Sequence, residues 1–447
     1  MQEGPVGINM IKFAIPLALT SILQQLFNSA DVAIAGHYVG SDALASVGAN
    51  SSLINLLINL FVGLSVGSNV IIARLIGMKD FDGVRKSVHT SILVALLAGI
   101  FLAIVGWICA VPILTALNTP QEILSQAVLY MRIYFLGMPF TMLYNFASAI
   151  LRSKGDTKRP LIVLTISGVI NVALNLLFVC TFSMGVDGVA LATVCATAFS
   201  SIVLIVLLCK ENSPIHLDLK QLKIHKKYLG KIAQVGIPAG VQGMVFSFSN
   251  VMIQSGINSL GKIAMAGATT ALNAEYFTYY MAAAFGHAAT SFLSQNYGAK
   301  NYQRCKIVIK KALLLGTVFT LVWSLPYIIF ASEFSSMYSP EKEVIDYAVI
   351  RIQLIVTFQC INAAIEIFSG ILRSLGYSVV PTIICIIAIC GTRLVWLFTI
   401  FRIYHTFECL HTCYIASWAI TCIALTIAFV IVRKKTYARV EQGNVNC

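Results

Sequence analysis

Long apolar runs separated by short polar connections extend along this chain from beginning to end. A helix needs roughly 20 residues to cross the hydrocarbon core of a bilayer, and twelve of the runs come close to that length or exceed it. They predict twelve transmembrane helices, at about 10–36, 44–73, 88–110, 123–150, 160–182, 186–209, 232–258, 263–293, 309–331, 344–371, 379–401 and 412–432. The predicted fold class is therefore an all-α integral membrane protein.

Composition supports this fold class. Hydrophobic residues make up 58% of the 447 residues and charged residues 11%, whereas a soluble domain is about 25% charged. Residues 1–9 lack the layout of a cleavable signal peptide, so we expect the first helix to be retained. The twelve cysteines are scattered through apolar runs and predict no disulfide framework.

The basic residues indicate how the chain is oriented in the membrane. Of the 31 lysines and arginines, 24 lie in alternate connections, after the even-numbered spans and in the C-terminal tail. Cytoplasmic loops carry such an excess, so both termini are predicted to be cytoplasmic, with the protein in the plasma (inner) membrane. This distribution also accounts for the net charge of +13, and no nucleic-acid partner is expected.

The second half of the chain repeats positions of the first half at a constant separation. Ile150-Leu151-Arg152-Ser153 recurs as Ile371-Leu372-Arg373-Ser374. Single positions match at the same separation: Gly155 with Gly376, Pro160 with Pro381, Gly40 with Gly261, Gly77 with Gly298, Lys79 with Lys300 and, one residue out of step, Pro16 with Pro238. Such a parallel repeat occurs in several transporter folds. We expect two pseudo-symmetric six-helix lobes, 1–209 and 232–447, joined by a cytoplasmic linker at 210–231.

Asp31 lies in the first span, where a charge is unfavourable. An isolated carboxylate costs roughly 2.5–3.5 kcal/mol there, so it must face protein or water. Asn175 lies at a similar depth in the fifth span, with Asn171 one turn below, and the three groups can meet across a lobe. An acid among amides can hold sodium through oxygens or keep a proton. We interpret the three as an ion-coupling site; structural pairing of Asp31 with a neighbour is the alternative.

Four stretches resemble motifs of the multidrug and toxic compound extrusion (MATE) transporters, and the resemblance covers nearly the whole chain. They are Asp31-Val32-Ala33-Ile34-Ala35-Gly36 with Gly40 and Leu44-Ala45, residues 151–160, residues 185–193, and Gln295-Asn296-Tyr297-Gly298-Ala299. The MATE superfamily also contains polysaccharide and lipid-precursor flippases.

The resemblance implies two six-helix lobes around a central cleft that opens alternately to either side. It further implies export of cationic or amphipathic compounds against inward flow of protons or sodium, with Asp31 in the place of the carboxylate tied to the coupling ion. The chain departs from the acids that some relatives carry in helices five, seven and ten, where it has Asn175, Phe246 and Asn362. The choice between proton and sodium therefore stays open.

Acids deep in apolar runs are candidates for substrate binding. Glu275 lies in the eighth span, close to Tyr279, and Glu366 lies in the tenth. A carboxylate beside aromatic rings can replace the water around a cation. The alternative for both acids is a helix–helix hydrogen bond or a salt bridge to Arg393 on the eleventh span.

Other polar residues complete the predicted substrate site. Gln24 and Asn28 lie on or near the face of the first span that leads to Asp31 and are expected to line the cleft. Asn362 and Arg393 are included because they lie in the tenth and eleventh spans.

Several other chemistries find no support in the sequence. His405, Cys409, His411 and Cys413 lie close together, but their spacing fits no standard zinc motif, and no metal site is predicted. A phosphate-binding loop is absent, which disfavours ATP as the energy source. Arg152 and Arg373 are expected to contact lipid at the cytoplasmic surface.

The sequence therefore predicts a secondary multidrug antiporter rather than an enzyme. It would exchange organic cations or amphipathic drugs for protons or sodium ions, need no cofactor, and work as a monomer in the lipid bilayer. The alternative function is a flippase for a lipid-linked polysaccharide or cell-wall precursor, whose cleft should be more basic than acidic.

Overall fold

The computed structural model describes residues 1–116 and 119–441, without the side chains of 41–45, 47–57, 116 and 436–441. Two predicted features fall partly outside them: the side chains of Leu44-Ala45 in the first motif, and residues 442–447 of the cytoplasmic tail. Within the described residues the chain forms helices and short connections, and no strand.

Twelve long helices follow one another along the described chain, and we number them α1 to α12. They are Val6–Val39, Ser41–Met78, Phe81–Ala116, Gln121–Leu136 with Met138–Lys154, Lys158–Thr181, Val186–Cys209, Lys226–Asn258, Lys262–Gly298, Tyr302–Ile329, Lys342–Val356 with Gln359–Ser374, Val379–Ile403 and Phe407–Glu441. Eight are long and apolar enough to span a membrane, and the bent pairs α4 and α10 bring the number to ten. Helices α7 and α8 are as long but less apolar. Each predicted span falls on one of the twelve, which confirms the fold class.

Helices α4 and α10 are each broken near the middle. The halves of α4 meet at 45° at Gly137, and those of α10 meet at 43° beside Phe358. Gly137 and Phe358 have the same separation in sequence as Gly155 and Gly376, so the break belongs to the repeat. Pro139 directly follows the first break and cannot donate a helical hydrogen bond. No proline marks the second break, and neither break was predicted from the sequence.

The repeat is visible in the backbone dihedral angles. Three matched pairs share a positive φ: Gly40 and Gly261 at 123° and 100°, Gly155 and Gly376 at 107° and 94°, and Lys79 and Lys300 at 58° and 55°. Glycine adopts this conformation without a Cβ penalty, which explains why glycine recurs at two of the three turns. Gly155 and Gly376 thus form the turns that follow α4 and α10.

A polar network holds the turn between α4 and α5. Asp156 Oδ1 accepts hydrogen bonds from the backbone N–H groups of Lys158 and Arg159, both at 3.1 Å, and so caps α5. Glu211, just after α6, contacts Lys154 Nζ and Arg159 Nη1, each at 2.6 Å. One carboxylate therefore connects the ends of three helices.

Contacts divide the chain into two compact units. The N-terminal unit is Leu19–Gly240, and the C-terminal unit combines Met1–Ala18 with Val241–Cys447. Helices α1 and α7 therefore each change unit shortly after a proline, Pro16 or Pro238. These units are defined by contacts, whereas the lobes at 1–209 and 232–447 were defined by the sequence repeat. The limits of the lobes therefore stay a prediction.

Small residues bring helices close together within each unit. In the N-terminal unit, a Cβ on Gly99 of α3 would lie 2.3 Å from Pro139 Cα in α4. In the C-terminal unit, a Cβ on Gly286 of α8 would lie 3.0 Å from Glu366 Cβ in α10. Helices in membranes commonly pack through such small residues, and here the second contact fixes the position of a candidate site residue.

The Glu211 network is expected to make stability depend on pH. Lys154 and Arg159 lower the pKa of Glu211 to about 2, so the network contributes fully above the ordinary carboxylate pKa of about 4.3 and is lost as pH falls towards 2. Glu211→Gln is expected to destabilise the protein by roughly 1 kcal/mol at neutral pH. Thermal unfolding in detergent should show the difference from wild type shrinking through that pH window. A difference that stays constant from neutral pH to pH 2, or the same behaviour in the control Glu122→Gln, would contradict this assignment.

Candidate functional site

Asp31 lies in a cluster of polar side chains inside the N-terminal unit. It is 7% exposed. Its Oδ1 accepts a hydrogen bond from Asn175 Nδ2 at 2.5 Å, and its Oδ2 accepts one from Thr193 Oγ1 at 2.9 Å. Asn171 closes the cluster, since its Oδ1 lies 3.4 Å from Asn175 Nδ2 and its Nδ2 lies 3.4 Å from Thr193 Oγ1. The predicted meeting of Asp31, Asn171 and Asn175 is confirmed; their role in coupling stays a prediction.

Helical periodicity brings these groups together. Asn171 and Asn175 are four residues apart on α5 and therefore share one face. Asp31 and Asn175 both lie just before turns of π-helix, at Ala35–Val39 and Leu177–Thr181, a feature frequent at functional sites. Thr193 on α6 was not selected as a site residue, although the third motif ends on it.

The cluster can bind a small cation or hold a proton. Four side chains contribute oxygens, and hard cations prefer oxygen ligands. Asn175 Oδ1 is buried and has no hydrogen-bond partner among the described residues. It is therefore available to accept from a protonated Asp31 or to contact an ion.

A small cavity adjoins this cluster at the break in α4. It has a volume of about 10 Å³ and is lined by Tyr134, Gly137, Thr141, Thr193, Val194 and Thr197. This is close to the volume that one water molecule needs. The cavity thus lies between the break at Gly137 and Thr193, whose hydroxyl group binds Asp31.

Gln24 and Asn28 lie on α1 below Asp31, and both side chains are exposed. The hydrogen bonds that Asp31 accepts within the described chain come from Asn175 and Thr193 instead. The structure therefore does not join Gln24 and Asn28 to the carboxylate, and their predicted place in a cleft stays a prediction.

Glu366 and Tyr279 form a second polar site, in the C-terminal unit. Tyr279 of α8 donates its hydroxyl to Glu366 Oε1 in α10, at 3.2 Å. Tyr280 adjoins Tyr279 with ring centroids 6.0 Å apart, and Tyr276 stacks on Tyr280 at 6.2 Å. The neighbourhood of a carboxylate and aromatic rings that was predicted for Glu275 is therefore present around Glu366 instead.

Two more acceptors lie on the same helix as Glu366. Asn362 is 5% exposed and Gln359 is 2% exposed, and their spacing of three and four residues aligns them with Glu366 on one face of α10. Asn362 Oδ1 and Gln359 Oε1 have no hydrogen-bond partner in the described part of the chain. Two of the acceptor oxygens on this face are therefore available to a cationic ligand. Gln359, at the break in the helix, was not predicted as a site residue.

Glu275 lies in a different environment from Glu366. Its carboxylate oxygens contact Arg351 Nε at 2.5 Å and Nη2 at 3.1 Å, and Arg351 is 2% exposed. The salt bridge to Arg393 that was considered as an alternative is therefore wrong for Glu275, because α10 places Arg351 directly opposite it. The pair cancels the charge of Glu275.

Arg393 binds neutral groups. Its Nη1 donates to Ser249 Oγ and Asn250 Oδ1, both at 3.0 Å, and its Cζ lies 4.0 Å from the ring centroid of Tyr414. It is 2% exposed, and no ion pair to it occurs among the described residues. Arg393 is thus a buried positive charge stabilised by oxygens and a ring face.

The expected lipid contact of Arg373 is wrong. Arg373 is 8% exposed, and its Nη2 donates to Gln242 Oε1 of α7 at 2.7 Å. The last turn of α10 is covered by neighbouring helices, so its guanidinium group enters the interior of the unit.

The histidines near α12 bind neighbouring protein groups. His411 Nδ1 lies 2.7 Å from the carbonyl oxygen of Phe407, and His405 Nε2 lies 3.0 Å from Ser259 Oγ. Among the side chains that the structure describes, no group of three is suited to hold a metal ion.

Comparison with known proteins identifies the family. The MatE family model matches this chain twice, over residues 16–177 and 238–399. The chain belongs to the MatE family. The second match is displaced from the first by the same distance at its beginning and at its end, which confirms the internal repeat.

Curated MATE relatives cover most of this chain. The probable multidrug resistance protein YoeA of Bacillus subtilis is 30% identical over 402 residues, covering 88% of this chain and 86% of its own. The probable multidrug resistance protein NorM of Thermotoga maritima is 27% identical over 403 residues, covering 88% and 85%.

Solved MATE structures share the fold. A multidrug resistance MATE family transporter in an outward-facing conformation aligns with a TM-score of 0.88 at 21% identity, covering 97% of each chain. A MOP superfamily transporter from Pyrococcus furiosus, described as having a binding pocket of reverse polarity, aligns with a TM-score of 0.88 at 20% identity, covering 97% of each chain. MATE proteins are membrane transporters, and this chain is a multi-pass membrane protein of that family.

The MatE repeat carries different chemistry in its two halves. At the separation that relates Gly155 to Gly376 and Pro160 to Pro381, Asn171 and Asn175 correspond to Thr392 and Trp396. The two amides that belong to the Asp31 cluster in the first half therefore have no amide counterpart in the second.

The pair Glu275–Arg351 is expected to behave as one unit in this MATE protein. Glu275→Gln leaves Arg351 buried without a counter-charge and should destabilise the protein by about 3–5 kcal/mol. Adding Arg351→Met should restore most of that loss, because two neutral residues then fill the site. Thermal unfolding of the single and double variants in detergent measures the coupling. Additive losses in the double variant would rule out the pairing.

Proposed function

We propose that this protein is a secondary antiporter that exports organic cations or amphipathic drugs in exchange for protons or sodium ions, by alternating access. The observation that carries the proposal is the buried Asp31 carboxylate, which Asn175 and Thr193 bind through neutral donors. Neutral donors do not cancel its charge, so the carboxylate stays available to a proton or cation. The names of the relatives, which are multidrug resistance proteins, support drugs as the exported class.

Ion binding at Asp31 would drive transport through a difference in affinity. A ligand shifts an equilibrium between two conformations only as far as it binds them unequally, and the effect of ion on drug equals that of drug on ion. Protonation would turn Asp31 Oδ from acceptor to donor, and Asn175 Oδ1 is an acceptor in the cluster without a partner among the described residues. Sodium would instead be held by the oxygens of Asp31, Asn171, Asn175 and Thr193.

The drug-binding residues are proposed in the C-terminal unit. Glu366, with Tyr279 and Asn362, offers a carboxylate, a ring and a carbonyl oxygen that has no partner in the described chain. Glu275 contributes less charge to this site because Arg351 pairs with it. Gln24 and Asn28, both exposed, are proposed to line the path of the drug.

The remaining assignments complete the proposal. We infer lobes at 1–209 and 232–447 with a linker at 210–231, both termini in the cytoplasm, and a location in the plasma (inner) membrane. The protein would act as a monomer, as a transporter and not an enzyme, without a cofactor. The excess of lysine and arginine in alternate connections supports this orientation.

A flippase for a lipid-linked polysaccharide or cell-wall precursor is the second candidate. Arg393 favours it, because a buried cation without an ion-pair partner among the described residues suits an anionic pyrophosphate better than an organic cation. The acids Asp31 and Glu366 weigh against it, whereas the charge of Glu275 is cancelled by Arg351. Transport assays separate the two functions.

Gradient-driven drug export is expected to require Asp31. In proteoliposomes with a proton or a sodium gradient imposed separately, wild type should move a fluorescent organic cation such as rhodamine 6G under one of the gradients. Asp31→Asn should abolish this transport, because it removes the titratable and cation-binding group. Thr193→Val should reduce it about tenfold through loss of a hydrogen bond to a charged group, whereas Thr193→Ser should retain it.

The gradient that drives export identifies the ion. Undiminished gradient-driven export by Asp31→Asn would disprove the coupling role of Asp31. Absence of cation export under both gradients would overturn the antiporter proposal, and flipping of a lipid-linked precursor in the same liposomes would then support the second candidate.

Glu366 is expected to determine drug affinity. Glu366→Gln should weaken binding of rhodamine 6G to the purified protein by about tenfold or more, since it removes a buried counter-charge. Tyr279→Phe should have a smaller effect, because it keeps the ring and loses one hydrogen bond. Fluorescence polarisation in detergent measures both, with the exposed Glu122→Gln as the control. Unchanged affinity in Glu366→Gln would exclude this site.

A further inference from the structure

A cavity of about 400 Å³ lies at the start of α3, within the N-terminal unit and away from the polar cluster around Asp31. Two segments line it, the first turns of α3 and the part of the linker before α7. The lining residues are Asp82, Arg85, Lys86, His89, Lys220, Gln221, Leu222, Lys223 and His225. The transport proposal assigns no role to these residues.

Buried hydrogen bonds hold the linker against α3 and shape the cavity. His89 is 2% exposed; its Nδ1 lies 2.6 Å from the carbonyl oxygen of Arg85, and its Nε2 accepts from the N–H of Asp218 at 3.1 Å. Thr90 Oγ1 accepts from the N–H of His225, also at 3.1 Å. The linker is thus held against α3 on both sides of Lys220 and Lys223.

The cavity carries an uncompensated positive charge. Four lysine and arginine side chains face one carboxylate, Asp82, which pairs with Lys86. Arg85 Nη2 donates to the neutral amide oxygen of Gln221 at 2.5 Å. Neither Lys220 nor Lys223 forms an ion pair with any residue that the structure describes. Three of the four basic side chains, Arg85, Lys220 and Lys223, therefore form no ion pair with a carboxylate in the described part of the chain.

The geometry points to a binding site for the phosphate group of an anionic ligand. Lysine and arginine donors around one concave site match the several oxygens of a phosphate, and the volume falls within the range of small-molecule sites. The phosphate can belong to an anionic phospholipid headgroup, since α3 continues from this cavity into a predicted span, or to a soluble phosphorylated compound. Either ligand would hold the linker to the start of α3.

The test measures binding at about 0.15 M salt, where weak surface attraction is screened. The full chain is placed in phosphatidylcholine nanodiscs and titrated with pyrophosphate, at ionic strength held constant with chloride, while the unfolding temperature is recorded. A second arm uses native mass spectrometry to count phosphatidylglycerol retained by the protein from mixed-lipid samples. Saturable stabilisation by pyrophosphate indicates a soluble ligand, and selective retention of phosphatidylglycerol indicates a headgroup.

Matched double variants decide whether the cavity is responsible. Lys220→Gln with Lys223→Gln should weaken the observed binding about tenfold or more. Lys210→Gln with Lys226→Gln removes the same charge from exposed positions of the same linker outside the cavity, and should leave binding within about twofold of wild type. Equal losses in both double variants, or no binding of either probe by wild type, would overturn the proposal.

Discussion

A charge buried among apolar helices requires a compensating partner, and the polar interior of both units follows from this requirement. Asp31 receives hydrogen bonds from an amide and a hydroxyl group, Glu275 pairs with Arg351, and Arg393 rests on oxygens and a tyrosine ring. Each solution joins two or three helices at a defined depth. The contacts that make the buried charges tolerable thus also specify which faces of the helices pack together.

The kind of partner decides what a buried acid can do. Glu275 has a full counter-charge and behaves as half of a neutral pair, whereas the partners of Asp31 are dipoles that leave its charge state free to change. Glu366 is intermediate, with one hydroxyl donor and, on its own helix, two carbonyl oxygens that lack partners in the described chain. The different partners of the three acids explain why coupling is proposed at Asp31 and cation binding at Glu366.

One backbone repeat carries two sets of side chains. The positive φ angles at Gly40 and Gly261, the breaks at Gly137 and Phe358, and the exchange of α1 and α7 between units all recur with the repeat. The side chains follow no such rule, because Asn171 and Asn175 of the Asp31 cluster correspond to Thr392 and Trp396. Helix packing constrains the backbone geometry in both halves. The polar side chains of each interior need only compensate the buried charges next to them.

The helices, their number and the repeat can be read from the sequence, because the bilayer requires long apolar segments and the glycines at positive φ leave a recognisable spacing. The common depth of Asp31, Asn171 and Asn175 can be read in the same way, since helical rise converts position into height. The partners of the polar side chains depend on how the helices pack: Arg351 opposite Glu275, Thr193 beside Asp31, and Gln242 beside Arg373. Rotation and crossing of helices set these contacts, and neither can be calculated from the spacing of residues along one chain.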